Sequence, residues 1–415
     1  QSKSLSGKQI AAVTAGNALE FYDFLIFGFF AVQIGATFFP AKDPTNSLLL
    51  TLVTFAVGFL TRPLGGFVIG PLGDRIGRRP AMLFSFGLMG LSIVGLALTP
   101  SYARIGVAAP VLVVIFRLLQ GFAIGGEVGP TTAFLMEAAP AEKRGVYVSL
   151  QTGTQQAATF FAGVVGVLLT NLMSPADLAA WGWRVAMLLG AAVVPLALVI
   201  RRHLPETLAQ AKQVDRPKVT SAQIRLALLN LLVIASATIT TYVLISINIF
   251  ATHTLGMSTA QAFGAVVIGG GIGAVFNPIG GSLSDRWGRK PVMIGAYSLL
   301  CAVGVPCFMA MSQQRTPAVL YGCVALMASL LALGLPPILT LVSEGLPLRL
   351  RSGGVGIIYA VAISLFGGTA SFVVTWLTAA TGSPLAPAFY MCAALALGVL
   401  SMFALRETAP IKTGN

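Results

Sequence analysis

Leu72-Gly73-Asp74-Arg75-Ile76-Gly77-Arg78-Arg79-Pro80 recurs 211 residues later as Leu283-Ser284-Asp285-Arg286-Trp287-Gly288-Arg289-Lys290-Pro291. A second phrase follows each copy: Glu137-Ala138-Ala139-Pro140 with Arg144, then Glu344-Gly345-Leu346-Pro347 with Arg351, both reading E-x-x-P-x-x-x-R at an offset of 207 residues. Two motifs repeating at nearly one period in a chain of 415 residues mark a duplicated unit. Set in hydrophobic sequence, such a duplication points to a secondary transporter.

Composition agrees. With 56% hydrophobic residues, 9% charged and a mean hydropathy of +0.86, the chain lacks the polar surface of a soluble protein, where about a quarter of residues are charged. A spanning helix needs roughly 20 apolar residues, so the length accommodates about a dozen helices. Apolar segments run at about 9–39, 47–72, 81–99, 106–137, 146–172 and 184–202, then 223–252, 258–283, 291–311, 316–343, 352–379 and 384–405. The expected fold is an all-α membrane protein of twelve transmembrane helices. Residues 1–200 form an N-terminal six-helix half, 201–225 a central linker rich in Arg and Lys, and 226–415 a C-terminal half.

The net charge of +13 takes its meaning from placement. On alternating spans all but six of the 26 Lys and Arg fall on one side. Lys42, Arg104 and Arg315 fall in the opposite loops, and Arg62, Arg117 and Arg184 lie within or at the ends of helices. The positive-inside rule makes the rich side cytoplasmic, with both termini there, and predicts a multi-pass protein of the cell (inner) membrane. No basic stretch is interleaved with stacking aromatics, so nucleic acid is not expected as a partner. The cysteines Cys301, Cys307, Cys323 and Cys392 lie in apolar segments and read as packing residues.

The paired L-x-D-R-x-G-R-[RK]-P loops resemble the signature of the major facilitator superfamily, and the two sixfold sets match its fold. Within it, Gly16-Asn17-Ala18-Leu19-Glu20-Phe21-Tyr22-Asp23-Phe24, Arg117-Leu118-Leu119-Gln120-Gly121, Gly125-Gly126-Glu127 and Trp181-Gly182-Trp183-Arg184 resemble the metabolite:proton symporter branch. Gln155-Gln156, Arg201-Arg202, Glu206-Thr207 and Phe366-Gly367-Gly368 are most similar to its citrate and tricarboxylate group. Sugar:proton symporters share a first-helix Asp and a fourth-helix Arg, here Asp23 and Arg117. The resemblance implies a cytoplasmic gate of charge networks that hold in the outward-facing state and break on opening. Its residues here are Asp74, Arg75, Arg78, Glu137, Arg144, Asp285, Arg286, Arg289, Glu344 and Arg351. The alternative is that these charges only stop and orient helices; positive-inside placement explains the basic residues but not the acidic ones matched to them.

Ionisable residues at bilayer depth need a partner or a water-filled cavity. Glu20, Asp23 and Phe27 share a helical face, and Asp23 and Arg117 lie near mid-depth of helices 1 and 4. Burial raises a carboxyl pKa from about 3.9 and an adjacent guanidinium lowers it, so pairing Asp23 with Arg117 would couple proton occupancy to an anion bound at Arg117. The alternative is a static buried ion pair. Glu127 reads either as a second proton site or as a partner of Arg62 or another basic group, and Arg62 either as a substrate contact or as a partner of Glu20 or Asp23. Proton coupling is therefore assigned to Asp23, Glu127 and Glu20. Substrate binding is assigned to Arg117 with Asn17, Tyr22, Gln120, Gln151, Gln155, Tyr242, Asn277 and Tyr359.

The expected activity is proton-driven uptake of a small organic anion by alternating access, citrate, another tricarboxylate or a dicarboxylate being implied by the resemblance. Symport of a zwitterionic osmolyte such as proline or betaine is the alternative, and drug:proton antiport a further one. Nothing in the sequence calls for an enzyme, a metal or a cofactor other than the proton as coupling ion: no phosphate-binding glycine loop, metal-ligand spacing or nucleophile–base set is present. The expected partners are the anion, the proton and the lipid bilayer, with a monomer as the working unit.

Overall fold

The computed structural model describes residues 14, 18, 21–76, 78–125, 135, 139–202, 221–345 and 357–414, with the side chains at 70–82, 193–202 and 221–222 outside that description. In chain order the long helices are α1 (Phe21–Phe29 and Ala31–Phe38), α2 (Pro44–Leu60 and Arg62–Ile76), α3 (Arg78–Leu98), α4 (Ala108–Ile124), α5 (Arg144–Leu172) and α6 (Trp183–Arg202). They continue as α7 (Ser221–Ile245, with Ile247–Ile249 and Phe250–Thr254), α8 (Thr259–Trp287), α9 (Arg289–Gln314), α10 (Pro317–Glu344), α11 (Ile357–Thr381) and α12 (Ala386–Ala404). This is the expected twelve-helix membrane fold. Among the described residues eight helices are long and apolar enough to cross a membrane, and the two pieces of α1 make a ninth, bent by 67°. Most of the expected 201–225 linker lies outside the described residues. α6 runs through Arg202 and α7 begins at Ser221, because a helix continues past its apolar stretch into the charged boundary; residues 203–220 lie outside the described ones.

Local sequence sets the ends. Asp43 caps α2 by accepting from Thr45 N at 3.0 Å with Pro44 in the first turn, and Ser258 with Gln261 forms a capping box on α8. α1 breaks at Phe30, and one π-helical turn, Ile363–Gly367, lies inside α11.

Glycines decide how closely helices approach, and one seam fixes the site. A Cβ on Gly121 of α4 would stand 1.6 Å from Gly58 O of α2, and one on Gly65 of α2 would stand 1.9 Å from Phe122 O of α4. Only glycine allows that backbone contact, which is the device membrane helices use where no hydrophobic effect drives them together. The seam brings Arg62 on α2 and Arg117 on α4 to the same region.

Two large apolar cores result among the described residues, with two small clusters beside them. One is built from residues between Val233 and Leu405; the other centres on Phe24, Phe27, Phe55, Phe59 and Trp183 and takes in Tyr242, Phe263 and Ile363 from the later helices. The early and late helices also meet through polar contacts: Asn248 Nδ2 donates to Phe29 O at 2.9 Å, and the Ser364 hydroxyl to Phe59 O at 2.9 Å.

Candidate functional site

Arg117 lies in the middle of α4 and is fully buried. One nitrogen donates to Gln120 Oε1 at 2.5 Å and another to Phe55 O at 3.2 Å, while Nε has no partner among the described residues. Its Cζ stands 4.4 Å from the Phe24 ring centroid, 4.5 Å from Phe27 and 5.1 Å from Phe55. Arg62 Cζ stands over the same Phe24 ring at 4.4 Å and over Phe59 at 4.4 Å. Two buried guanidinium groups thus share one aromatic ring. Cation–π contacts are worth about 2 kcal/mol or more each when desolvated, which makes such a cage a workable holder for the Arg117 guanidinium. No described carboxylate pairs with Arg117.

Later helices complete the wall. The Tyr242 ring of α7 packs on Phe59 at 5.5 Å and Phe55 at 6.5 Å, and its buried hydroxyl has no hydrogen-bond partner among the described residues. Both arginines lie within electrostatic reach of Tyr242. Tyr359 of α11 lies beside Gln155 of α5 and within electrostatic reach of Arg62. A cavity of about 30 Å³, room for a water molecule or two, opens beside α5, α7, α8 and α10 against Gln156, Thr159 and Thr241.

The predicted site residues divide accordingly. Arg117, Gln120, Tyr242, Gln155 and Tyr359 come together, and Gln151 is buried on the same helix as Gln155. Asn277 does not join the cage; its amide donates to Gly273 O of its own helix at 2.7 Å and it faces Gly153 of α5. Tyr22 faces α6, donating to Ala186 O at 3.1 Å. Asp23 is not paired with Arg117. Its carboxylate packs on Gly190 of α6 so tightly that a Cβ there would fall 1.7 Å from Oδ1, and that buried oxygen has no partner among the described residues. The reason is azimuth: depth along α1 and α4 brings the two groups level, but successive helical residues point 100° apart, and Phe24 rather than Asp23 faces the arginine. Arg184 is also spent elsewhere, on Ala97 O, Ala180 O and Thr99 O. Asn17, Glu20, Glu127, Glu137 and Arg351, and the side chains of Asp74, Arg75 and Arg78, lie outside the described residues.

A second cluster occupies the charged end of the bundle. Asp285, in the last turn of α8, accepts from Gly145 N at 2.9 Å and Val146 N at 3.0 Å, the first turn of α5, where the helix dipole favours an anion. It also pairs with Arg289. Arg289 is fully buried and reaches both Glu344 oxygens at 3.3 Å, with Ser284 at 2.9 Å. Arg144 approaches Glu344 at 3.7 Å. Arg286 is exposed and forms no ion pair among the described residues.

The residues after α12 also belong to this cluster, and sequence reasoning missed them. Glu407 accepts from the backbone N–H groups of Arg289, Lys290, Thr408 and Ala409, and Thr408 donates to Glu344 at 2.7 Å. Burial opposes the charge on Glu407, but the four N–H donors outweigh it and hold its pKa below the ordinary carboxylate value. A signal existed: Glu407-Thr408 repeats Glu206-Thr207 after the sixth helix. The aromatic residues Phe24, Phe55 and Phe59 were likewise missed, since phenylalanine in a spanning helix carries no local mark of function.

Comparison with known proteins fits this architecture. The family profile described as Major Facilitator Superfamily matches residues 14–365 and, in a second overlapping match, 231–415. The chain is 32% identical over 402 residues to a citrate-proton symporter of Klebsiella pneumoniae, covering 94% of this chain and 90% of the relative. It is 30% identical over 427 residues to a proline/betaine transporter of Salmonella typhimurium, covering 98% and 85%. In fold it is similar to the xylose transporter XylE from E. coli in a partially occluded inward open conformation, with a TM-score of 0.78 at 19% identity over 97% of this chain and 98% of that one. The twelve-helix bundle, the duplicated charged loops and the matched length agree: this chain is a multi-pass membrane transporter, not an enzyme, and belongs to the Major Facilitator Superfamily.

Proposed function

We propose that the chain couples proton influx to the uptake of a small organic anion, a tri- or dicarboxylate such as citrate, by alternating access. The observation that carries this reading is the Arg117 guanidinium, fully buried, with no carboxylate partner among the described residues and beside the Tyr242 hydroxyl, which has no hydrogen-bond partner among them either. A buried cation is costly unless paired, so a carboxylate entering the cage gains a charge-assisted bidentate partner and a phenolic donor. Arg62, sharing the Phe24 ring, serves a second carboxylate. Asp23 carries the proton: its carboxyl is buried against Gly190 with no donor to Oδ1 among the described residues, and such a group is held at least cost as the neutral acid. Glu20 and Glu127 act as further proton sites. The Asp285, Arg289 and Glu344 cluster closes the cytoplasmic side, with both termini on that side of the inner membrane and the 1–200 and 226–415 halves moving as units in a monomer.

A second reading, symport of a zwitterionic osmolyte, is favoured by the aromatic cage, which suits a quaternary ammonium, and by the proline/betaine relative. It ranks lower because protein guanidinium groups already occupy the faces of those rings. The discriminating test is uptake into proteoliposomes under an inside-alkaline gradient, with labelled citrate, 2-oxoglutarate and betaine in parallel. Accumulation of a carboxylate but not of betaine supports the first reading, the reverse supports the second, and no accumulation of any of them overturns symport.

A further inference from the structure

Asp23 and Phe24 are neighbours on α1 with opposite attachments. Asp23 is seated against Gly190 of α6, and Tyr22 fastens the same turn to α6 through Ala186 O. Phe24 lies beneath both guanidinium groups and packs edge-on against Phe59 at 4.6 Å and tilted against Phe55 at 5.1 Å. Within one helical turn the two residues cannot move independently, because the intervening backbone is rigid. α1 also breaks at Phe30, with a bend of 67°, so its inner piece can turn without carrying the outer one.

Resting on the symport reading, we propose that Phe24 is the positioning residue that ties proton exchange at Asp23 to occupancy of the arginine cage. In the empty transporter the ring takes the place of the anion at Arg117, and this holds Asp23 sealed against α6. An incoming carboxylate competes with the ring for the guanidinium groups. Once Phe24 is displaced, α1 is released to turn, and Asp23 leaves its seat on Gly190 and exchanges its proton. The device couples the two events and blocks proton leak when no substrate is bound. Among described groups near Asp23, α1 supplies Tyr22 and α6 supplies Gly190, while Arg62 and Arg117 contact Phe24.

The test uses the full chain in proteoliposomes, with citrate and 2-oxoglutarate as probes and an internal pH dye to count protons. Phe24→Leu removes the competing ring, so carboxylate affinity rises about tenfold, the proton-to-substrate ratio falls and substrate-free proton leak appears; Phe24→Tyr restores the wild-type ratio. Gly190→Ala is the second variant. It unseats Asp23 with the cage intact and produces the same leak. Wild-type proton ratio and affinity in Phe24→Leu, or an unchanged leak in Gly190→Ala, overturn the inference. Failure of wild type to move protons with either probe instead overturns the symport reading on which it rests.

Discussion

Asp285→Asn changes one atom type at the junction of α5 and α8. The carboxylate now serves two backbone donors, Gly145 N at 2.9 Å and Val146 N at 3.0 Å, as well as Arg289. An asparagine of the same shape offers one carbonyl, so one N–H keeps an acceptor and the other meets an NH₂ group. Hydrogen bonds to a charged acceptor contribute about 1.5–3 kcal/mol against about 1 for neutral ones, and the anion at the α5 N-terminus adds about 0.3–1 kcal/mol. The charged end therefore loses about 2–4 kcal/mol, a shift of about 30- to 700-fold in the ratio of closed to open forms at about 1.4 kcal/mol per decade. Spin labels at Glu142 and Arg286, both exposed on the two sides of the junction, report the change as a longer distance population in detergent and in nanodiscs. Arg144→Gln is the internal control: its 3.7 Å contact with Glu344 comes from an arginine 30% exposed, and removing it costs under about 1 kcal/mol. An unchanged distance distribution in Asp285→Asn, or an equal effect of the two variants, would falsify the assignment of this cluster as the gate.

Other outcomes follow from the same geometry. Arg117→Lys keeps the charge but loses the planar fork that holds Gln120 and Phe55 O; carboxylate affinity should drop at least tenfold in equilibrium binding, and wild-type affinity would contradict the anchor role. Gly121→Ala drives a methyl into Gly58 O and should destabilise the α2–α4 seam by about 1–3 kcal/mol or more, seen as a lower melting temperature in detergent. Glu407 has a folded pKa below its unfolded value of about 4.3, so its contribution is complete above that pH and is lost as pH falls through the lower folded value. Hydrogen exchange of residues 405–413 should then rise in acid, while Glu407→Gln should exchange faster at neutral pH and lose the acid dependence.

Much of this was legible in the chain and some was not, for identifiable reasons. The repeated Leu72 and Leu283 loops and the apolar periodicity determine helix number and order, because each span must satisfy its own backbone in lipid. Depth was legible too, and put Asp23 and Arg117 at one level. Direction was not: which of two successive residues faces α4 depends on how α1 packs, and that is decided by Gly190 on α6 and by the Gly58, Gly65 and Gly121 seam. Acidic partners such as Asp285 and Glu344 stood out because their spacing repeats with basic residues, whereas the Glu206-Thr207 and Glu407-Thr408 repeat marks a position without showing that Glu407 acts through backbone donors. The aromatic cage was hidden for a similar reason. Of 25 phenylalanines, only the fold shows which lie against guanidinium groups.

The central claim is that Asp23 carries the coupled proton while the arginine cage binds the anion. The most direct measurement compares wild type and Asp23→Asn in proteoliposomes, reading accumulation of labelled citrate or 2-oxoglutarate under an inside-alkaline gradient together with equilibrium binding. The account predicts that Asp23→Asn still binds the carboxylate but no longer accumulates it above the external concentration. Accumulation by Asp23→Asn at the wild-type level would contradict it.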